Sequence, residues 1–150
     1  MRLLTGIVDL EQAVGTHLGY RDWHQISQEQ VDLFARATGD DQWIHVDPER
    51  AAAGPFGTTI AHGFLTLSLL PYLIQQVYRV DGLRIGINYG ADSVRFPAIV
   101  PVDSWVRAGV ELLHVERGTS GSRCRSKVTV ERAGGGKPVC VAETVAQLVE

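Results

Sequence analysis

The longest apolar stretch of the chain, from Ile60 to Ile74, constrains the fold more than any other segment. It is shorter than a bilayer span and is interrupted by polar residues and a proline, so it does not fit a membrane helix. A helix that begins near residues 61 to 63 would carry apolar side chains almost all round, which predicts that it is buried inside the domain. Pro71 is expected to kink this helix.

A change of sequence period at Leu83 indicates what covers the buried helix. From this point β-branched residues recur with period two between proline and glycine breaks, which is typical of strands. Residues 122–131 and 139–149 flank the tripeptide Gly134-Gly135-Gly136 and are expected to pair as an antiparallel hairpin. The predicted fold class is therefore α+β, with one long helix wrapped by an antiparallel β-sheet.

The first half of the chain is expected to be less regular. Residues 1–26 lack a clear period and are predicted to form a strand-and-loop region. Ser27 and Gln30 have the spacing of a capping box, which predicts an amphipathic helix that ends at Gly39. A second, short helix is predicted to open at Pro48, because proline suits the first position of a helix.

Composition limits the classes of protein to which this chain can belong. A length of 150 residues is typical of one domain, residues 1–150. The formal net charge of -3 offers no electrostatic reason to bind nucleic acid or an anionic membrane surface. Two cysteines are too few for a disulfide framework, and the apolar N-terminus meets Asp9 before it reaches signal-peptide length. These features favour a cytoplasmic protein.

The first candidate for chemistry is a pair formed by Asp40 and His45. Asp40 follows Gly39, just past the predicted helix end, and His45 lies five positions further on across a turn that is expected to be non-helical. A histidine titrates near neutrality and a nearby carboxylate can fix its tautomer or take a proton itself. Together the two groups can hold and deprotonate one water molecule. The alternative is that Asp40 caps the following turn and His45 is a structural loop residue.

The second candidate is the junction at which the buried helix begins. Backbone N–H groups at a helix N-terminus lack intrahelical partners, and a glycine allows a substrate to approach closely. The N–H of Gly63 could therefore donate to a carbonyl oxygen on which negative charge develops. His62 could contact substrate beside it or could be a packed, hydrogen-bonded residue. The alternative for Gly63 is an ordinary junction in which glycine serves close packing.

Both segments together resemble the MaoC-like (R)-specific enoyl-CoA hydratases, also called type-2 enoyl-CoA hydratases, of the hotdog superfamily. The chain departs from the family pattern at Gln42 and Trp43, where Asn and Pro are usual. A Gln42 amide could still bond the turn, and Trp43 could line or close the pocket. The residues that match the pattern are Phe34, Thr38, Gly39, Asp40, Ile44, His45 and Ala51, followed by the stretch Ala61-His62-Gly63-Phe64.

The resemblance implies a hotdog fold and a specific reaction. That reaction is the reversible syn hydration of a trans-2-enoyl thioester to a (3R)-3-hydroxyacyl thioester. Asp40 and His45 would orient and activate the water and return a proton to C2, and the Gly63 N–H would polarise the thioester carbonyl. The substrate would be attached to coenzyme A or to an acyl-carrier protein. No metal or redox cofactor is implied, and such proteins generally form homodimers through sheet edges.

Two further positions have both a functional and a structural interpretation. Asn88 precedes a predicted strand and could line an acyl tunnel, although the pattern favours a structural role at the edge of the sheet. The basic residues Arg123, Arg125 and Lys127 alternate with small and apolar ones, which indicates first a solvated strand face. Their second interpretation is a contact with coenzyme A phosphates or with an acyl-carrier helix.

Two other functions share the same acyl-thioester pocket. A hotdog thioesterase usually needs a carboxylate on the central helix, and the segment from His62 to Gln76 contains neither Asp nor Glu. The other alternative is a non-catalytic acyl-thioester binding subunit, since some pairs of chains in this family divide the labour and one of them lacks the Asp/His pair. This chain retains both residues.

Overall fold

The computed structural model describes all of residues 1–150. Its strands are β1 Arg2–Thr5, β2 His17–Tyr20, β3 His24–Gln25, β4 Tyr78–Asp81, β5 Ile85–Arg95, β6 Trp105–Gly118, β7 Gly121–Arg132 and β8 Cys140–Val149. Its helices are α1 Gly6–Ala13, α2 Gln28–Thr38, α3 Trp43–Val46, α4 Pro48–Ala52, α5 Gly63–Ser68 and α6 Leu70–Val77. The α+β fold class predicted from the sequence is confirmed.

The main sheet is antiparallel and has the strand order β2-β6-β7-β8-β5, with β3 paired to β6. The predicted hairpin is present as β7 and β8, which pair from Ser122 opposite Leu148 to Val130 opposite Cys140. Both cysteines are buried and free. Two short strands, β1 and β4, form a separate parallel pair. One edge of the main sheet is therefore β5, the strand that follows β4 in the chain.

Two helical segments, α5 and α6, occupy the place of the predicted single long helix. Leu69 separates them, and Pro71 lies in the first turn of α6. Proline has no N–H to donate to the carbonyl four residues earlier, and its ring crowds that carbonyl, so the helix is interrupted close to the position predicted for a kink. Both segments pack against the sheet in a core of 16 buried residues: Ile26, Val31, Ala61, Leu65, Leu70, Leu73, Val77, Val100, Val106, Ala108, Val110, Val128, Val130, Val139, Cys140 and Ala142.

The prediction of an irregular N-terminal region was wrong over residues 6–13, which form the helix α1. The Asp9 carboxylate accepts a hydrogen bond from the Thr5 N–H at 2.8 Å. A carboxylate oxygen of Glu150, from the far end of the chain, accepts from the Ile7 N–H at 3.1 Å. Contacts that are remote in sequence therefore stabilise the first turn of α1, and its buried residues join the second core cluster: Leu4, Ile7, Leu10, Ala13, Leu112, Cys124 and Leu148.

The helix α2 begins and ends as the sequence predicts. The Ser27 hydroxyl accepts a hydrogen bond from the Gln30 N–H at 3.2 Å, and Gly39 ends the helix with a left-handed φ of 77°. The predicted short helix at Pro48 is α4. The segment before it was predicted to be non-helical, but Trp43–Val46 forms a single helical turn, α3.

None of the helices in the structure is both long enough and apolar enough to cross a bilayer. The cytoplasmic location suggested by the sequence stays a prediction.

Candidate active site

Asp40 is presented by the end of α2. Because Gly39 takes a left-handed conformation, the chain leaves the helix axis there and Asp40 lies in an exposed, irregular segment. Within this segment the Asp40 N–H has only a long contact, 3.5 Å, to the Thr38 hydroxyl. Local hydrogen bonds therefore hold Asp40 weakly.

His45 is buried in the single turn of α3, with 7% of its surface exposed. Its Nδ1 lies 2.6 Å from the carbonyl oxygen of Ile60. A carbonyl only accepts hydrogen bonds, so Nδ1 carries the proton and Nε2 is left as an acceptor. The backbone of Ile60 therefore sets both the tautomer and the orientation of the His45 ring.

A second contact holds the backbone of His45, through residues that the sequence interpretation missed. The side-chain amide of Gln28, at the start of α2, donates to the His45 carbonyl at 2.7 Å. Its amide oxygen accepts from the hydroxyl of Thr59, which is buried. Gln28 thus links α2, α3 and the segment before α5. No local pattern indicates this link, because its members come together only in the tertiary structure.

His62 lies beside both candidate residues. A polar side-chain atom of Asp40, one of His45 and one of His62 all lie within 4.8 Å of one another. The rings of His45 and His62 are stacked, with centroids 3.8 Å apart and planes inclined by 25°. Asp40 and His45, predicted as a pair, are therefore adjacent in the structure.

Aspartate and histidine side chains are also common metal ligands, so the same three side chains form a candidate metal centre. Each imidazole lone pair lies in the plane of its own ring. Because the two rings are stacked in nearly parallel planes, one ion cannot lie in both planes at ligand distance. The arrangement suits shared coordination poorly, and the expectation that no metal is required stays a prediction.

Burial is the main influence on the titration of His45. It lowers the pKa of His45 below the ordinary value of 6.5, because the charged form loses hydration. The hydrogen bond to Ile60 and the nearby Asp40 carboxylate act in the opposite direction, whereas His62 lowers the pKa further. His45 is thus favoured in the neutral form, which can accept a proton.

A cavity of about 330 Å³ opens beside His45 and is lined by Gly63 and by apolar residues. Gly63 is the first residue of α5, where backbone N–H groups have no partner within the helix. A Cβ at this position would lie 2.9 Å from the ring of Phe96. Residue 63 therefore has no room for a side chain. The other lining residues are Ile60, Ala61, Thr66, Phe96, Pro97, Ala98, Ile99, Val100 and Val139.

Four predicted site residues are not among those that line this cavity: Asp40, His62, Gln42 and Asn88. Gln42 precedes α3 with its side chain exposed and makes no capping hydrogen bond. Asn88 lies on the edge strand β5 and lines a different, larger groove of about 960 Å³ between α6 and β5. The structure therefore brings together Asp40, His45 and His62, and of the predicted site residues it places His45 and Gly63 on this cavity.

Comparison with known proteins places this chain in a family. The model of the MaoC like domain matches residues 9–133 of the chain. The chain belongs to the MaoC-like family. The relative named 3-hydroxyacyl-thioester dehydratase Z, from Mycobacterium tuberculosis, is 56% identical over 150 residues, which cover 99% of both chains. The protein is accordingly a hydro-lyase of the MaoC-like family.

Solved structures agree with this assignment and with the predicted hotdog fold. The unliganded R-hydratase PhaJ1 from Pseudomonas aeruginosa superposes with a TM-score of 0.73 at 28% identity, covering 91% of this MaoC-like chain and 82% of that one. The C-terminally truncated HadBC (3R-hydroxyacyl-ACP dehydratase) complex from Mycobacterium tuberculosis gives a TM-score of 0.67 at 19% identity, with coverage of 90% and 97%. The HadBC likeness shows the shared fold alone.

Proposed function

We propose that this MaoC-like protein, acting as one domain over residues 1–150, catalyses the reversible hydration of trans-2-enoyl thioesters to (3R)-3-hydroxyacyl thioesters. The observation that carries the proposal is the placement of Asp40 beside His45, which itself lines a cavity together with Gly63. The names of the dehydratase and the R-hydratase to which the chain is similar support a reaction that runs in both directions, and the second name supports its stereochemistry.

In the proposed reaction, Asp40 and His45 hold one water molecule against C3 of the substrate. The water oxygen bonds to C3 while one of its protons passes to the Asp40/His45 pair, for which His45 Nε2 is an available acceptor. The electron pair of the C2–C3 double bond moves toward the thioester, whose oxygen becomes enolate-like. A proton from the pair then bonds to C2. Loss of water from the 3-hydroxyacyl thioester follows the same steps in reverse.

Gly63 supplies the complementary half of the proposed site. An N–H at the first position of α5 is free of intrahelical partners and can donate to the thioester oxygen as negative charge develops. A single preorganised donor of this kind contributes about 2.7 to 4 kcal/mol to lowering the barrier. The absence of a side chain at residue 63 keeps this approach open.

The experiment that tests the function follows the conjugated enoyl absorbance and free thiol together, with purified protein and enoyl-CoA. Loss of absorbance without thiol, together with an R-configured product on chiral chromatography, is the expected result. Asp40→Asn and His45→Gln are each expected to reduce the hydration rate by at least about 10²-fold with folding unchanged. Thiol release would instead identify a thioesterase. Binding of enoyl-CoA with no turnover would identify a non-catalytic subunit.

We also propose that the protein acts as a homodimer on thioesters of coenzyme A or of an acyl-carrier protein. Support for a dimer comes from β5, an edge strand in which every residue except Val94 is exposed. An exposed edge of this length presents unpaired N–H and C=O groups, and a second copy can pair with them about a two-fold axis. A different MaoC-like chain at the same edge is the competing arrangement.

A further inference from the structure

His62 makes contacts with both members of the proposed catalytic pair. Its ring is stacked on His45, and its Nε2 lies 2.9 Å from the backbone carbonyl of Asp40, 22 positions earlier in the chain. Because the carbonyl only accepts hydrogen bonds, Nε2 carries the proton and donates it. His62 thus joins the end of α2 to the start of α5.

His62 is itself firmly held. Only 2% of its surface is exposed, and its ring packs on Phe34 of α2 with centroids 4.9 Å apart. Its carbonyl accepts a hydrogen bond from the Thr66 N–H at 3.2 Å, so its backbone is part of the first turn of α5. A residue fixed in this way can position a weakly held neighbour.

Asp40 is such a neighbour. It is exposed, it follows a left-handed glycine, and the contact of its N–H to Thr38 is at the limit of hydrogen-bond length. The bond from His62 is shorter and comes from a buried side chain. Packing alone does not explain a histidine here. The buried Nδ1 of His62 has no hydrogen-bond partner among the protein's groups, and a phenylalanine would present a ring of similar shape without burying such an atom.

We propose that His62 is a positioning residue, whose Nε2–H holds the backbone of Asp40 so that the Asp40 carboxylate stays beside His45. This inference rests on the proposed function, because Asp40 must take part in the reaction for its position to affect the rate. His62 acts through Asp40 and needs no contact with the reacting atoms. Misplacement of a reacting group by about 1 Å can lower a rate by about 10²-fold, so the loss of this bond should affect catalysis strongly.

The test compares His62→Gln with His62→Phe. The glutamine amide nitrogen reaches the place of the histidine Nε2 and keeps a donor, whereas phenylalanine keeps a ring and has no donor. We expect His62→Phe to lower kcat about 10- to 100-fold with KM within about 3-fold of the original protein. His62→Gln should retain a kcat at least about 5-fold above that of His62→Phe, and the difference should disappear in an Asp40→Asn background.

A second measurement does not depend on activity. Backbone relaxation by NMR should show greater motion of residues 40–42 in His62→Phe than in His62→Gln or the original protein. Equal kcat values in the two variants, a difference that persists without the Asp40 carboxylate, or unchanged motion of residues 40–42 would each contradict the proposal. Failure of the original protein to hydrate enoyl-CoA would contradict the proposed function instead, and the relaxation data would still test the bond.

Discussion

At the scale of single residues, the chemistry of this site depends on how His45 is surrounded. Burial removes hydration from its charged form, and the Ile60 carbonyl holds the proton of the neutral form on Nδ1. Asp40 is exposed, and its carboxylate raises the pKa of His45, against the effect of burial. The two groups therefore differ in environment although they are adjacent, which is the usual way in which one site holds an acid and a base at the same pH.

This environment predicts that His45 titrates below pH 6.5, the ordinary value for histidine, because burial lowers its pKa. As the pH falls, His45 should become charged at a lower pH than an exposed histidine does. NMR of the five histidine rings measures this directly, with His45→Gln to assign the signal. Asp40→Asn should lower the pKa of His45 further, since the carboxylate raises it. A midpoint at or above 6.5, or a rise in Asp40→Asn, would refute the prediction.

At the scale of elements, the C-terminal end of α2 determines where the chain turns toward the candidate site. The cap at Ser27 begins the helix and the left-handed Gly39 ends it, so the position of Asp40 follows from where α2 stops. The Cβ of an added side chain at Gly39 would meet no atom within 4 Å. Backbone conformation, and not crowding, is therefore what requires glycine at this turn.

Gly39→Ala should consequently destabilise the protein by about 1 to 2 kcal/mol, the cost of placing an L-residue with a Cβ in the left-handed region. Gly39→Asn is the matched control, because asparagine tolerates this conformation better, and it should lose less. Urea unfolding measures both differences. Equal stability of the alanine variant and the original protein would show that the turn relaxes out of the left-handed region.

At the scale of the whole molecule, the exposed edge of the sheet is the surface through which the proposed homodimer would form. The strand β5 carries Ile85, Ile87 and Tyr89 with half or more of their surfaces exposed. Part of its exterior is already occupied within the chain, because Arg123 donates to the Tyr89 hydroxyl at 3.1 Å and lies over its ring. The remaining apolar positions and the free strand edge favour association along β5.

Ile87→Lys should therefore convert the proposed homodimer into a monomer of 16.4 kDa, because a lysine on an edge strand opposes pairing with a second strand. Leu33→Lys on α2 is the matched control, since Leu33 is 52% exposed and Ile87 is 50% exposed. Light scattering coupled to gel filtration gives the mass, and circular dichroism checks folding. A purified original protein that is already monomeric, or an Ile87→Lys dimer, would contradict homodimer formation through β5.

Features that depend on neighbouring residues were predictable from the sequence alone. The caps of α2, the short helix after Asp47, the hairpin of β7 and β8, and the grouping of Asp40 with His45 all follow from patterns within a few positions. Capping, turn formation and strand alternation are governed by contacts between residues close in the chain, so these features can be recognised from the sequence alone.

Only the tertiary structure decided how distant segments complete the site. The helix α1 was not predicted, because its stabilising contacts come from Glu150 and from buried neighbours on β6 to β8. The stacking of His62 on His45, its bond to Asp40 and the link through Gln28 join segments that no local pattern relates. Such contacts form between segments that are distant in the sequence. Their geometry depends on how the helices and the sheet pack together, and the periodicity and spacing of residues do not determine this packing.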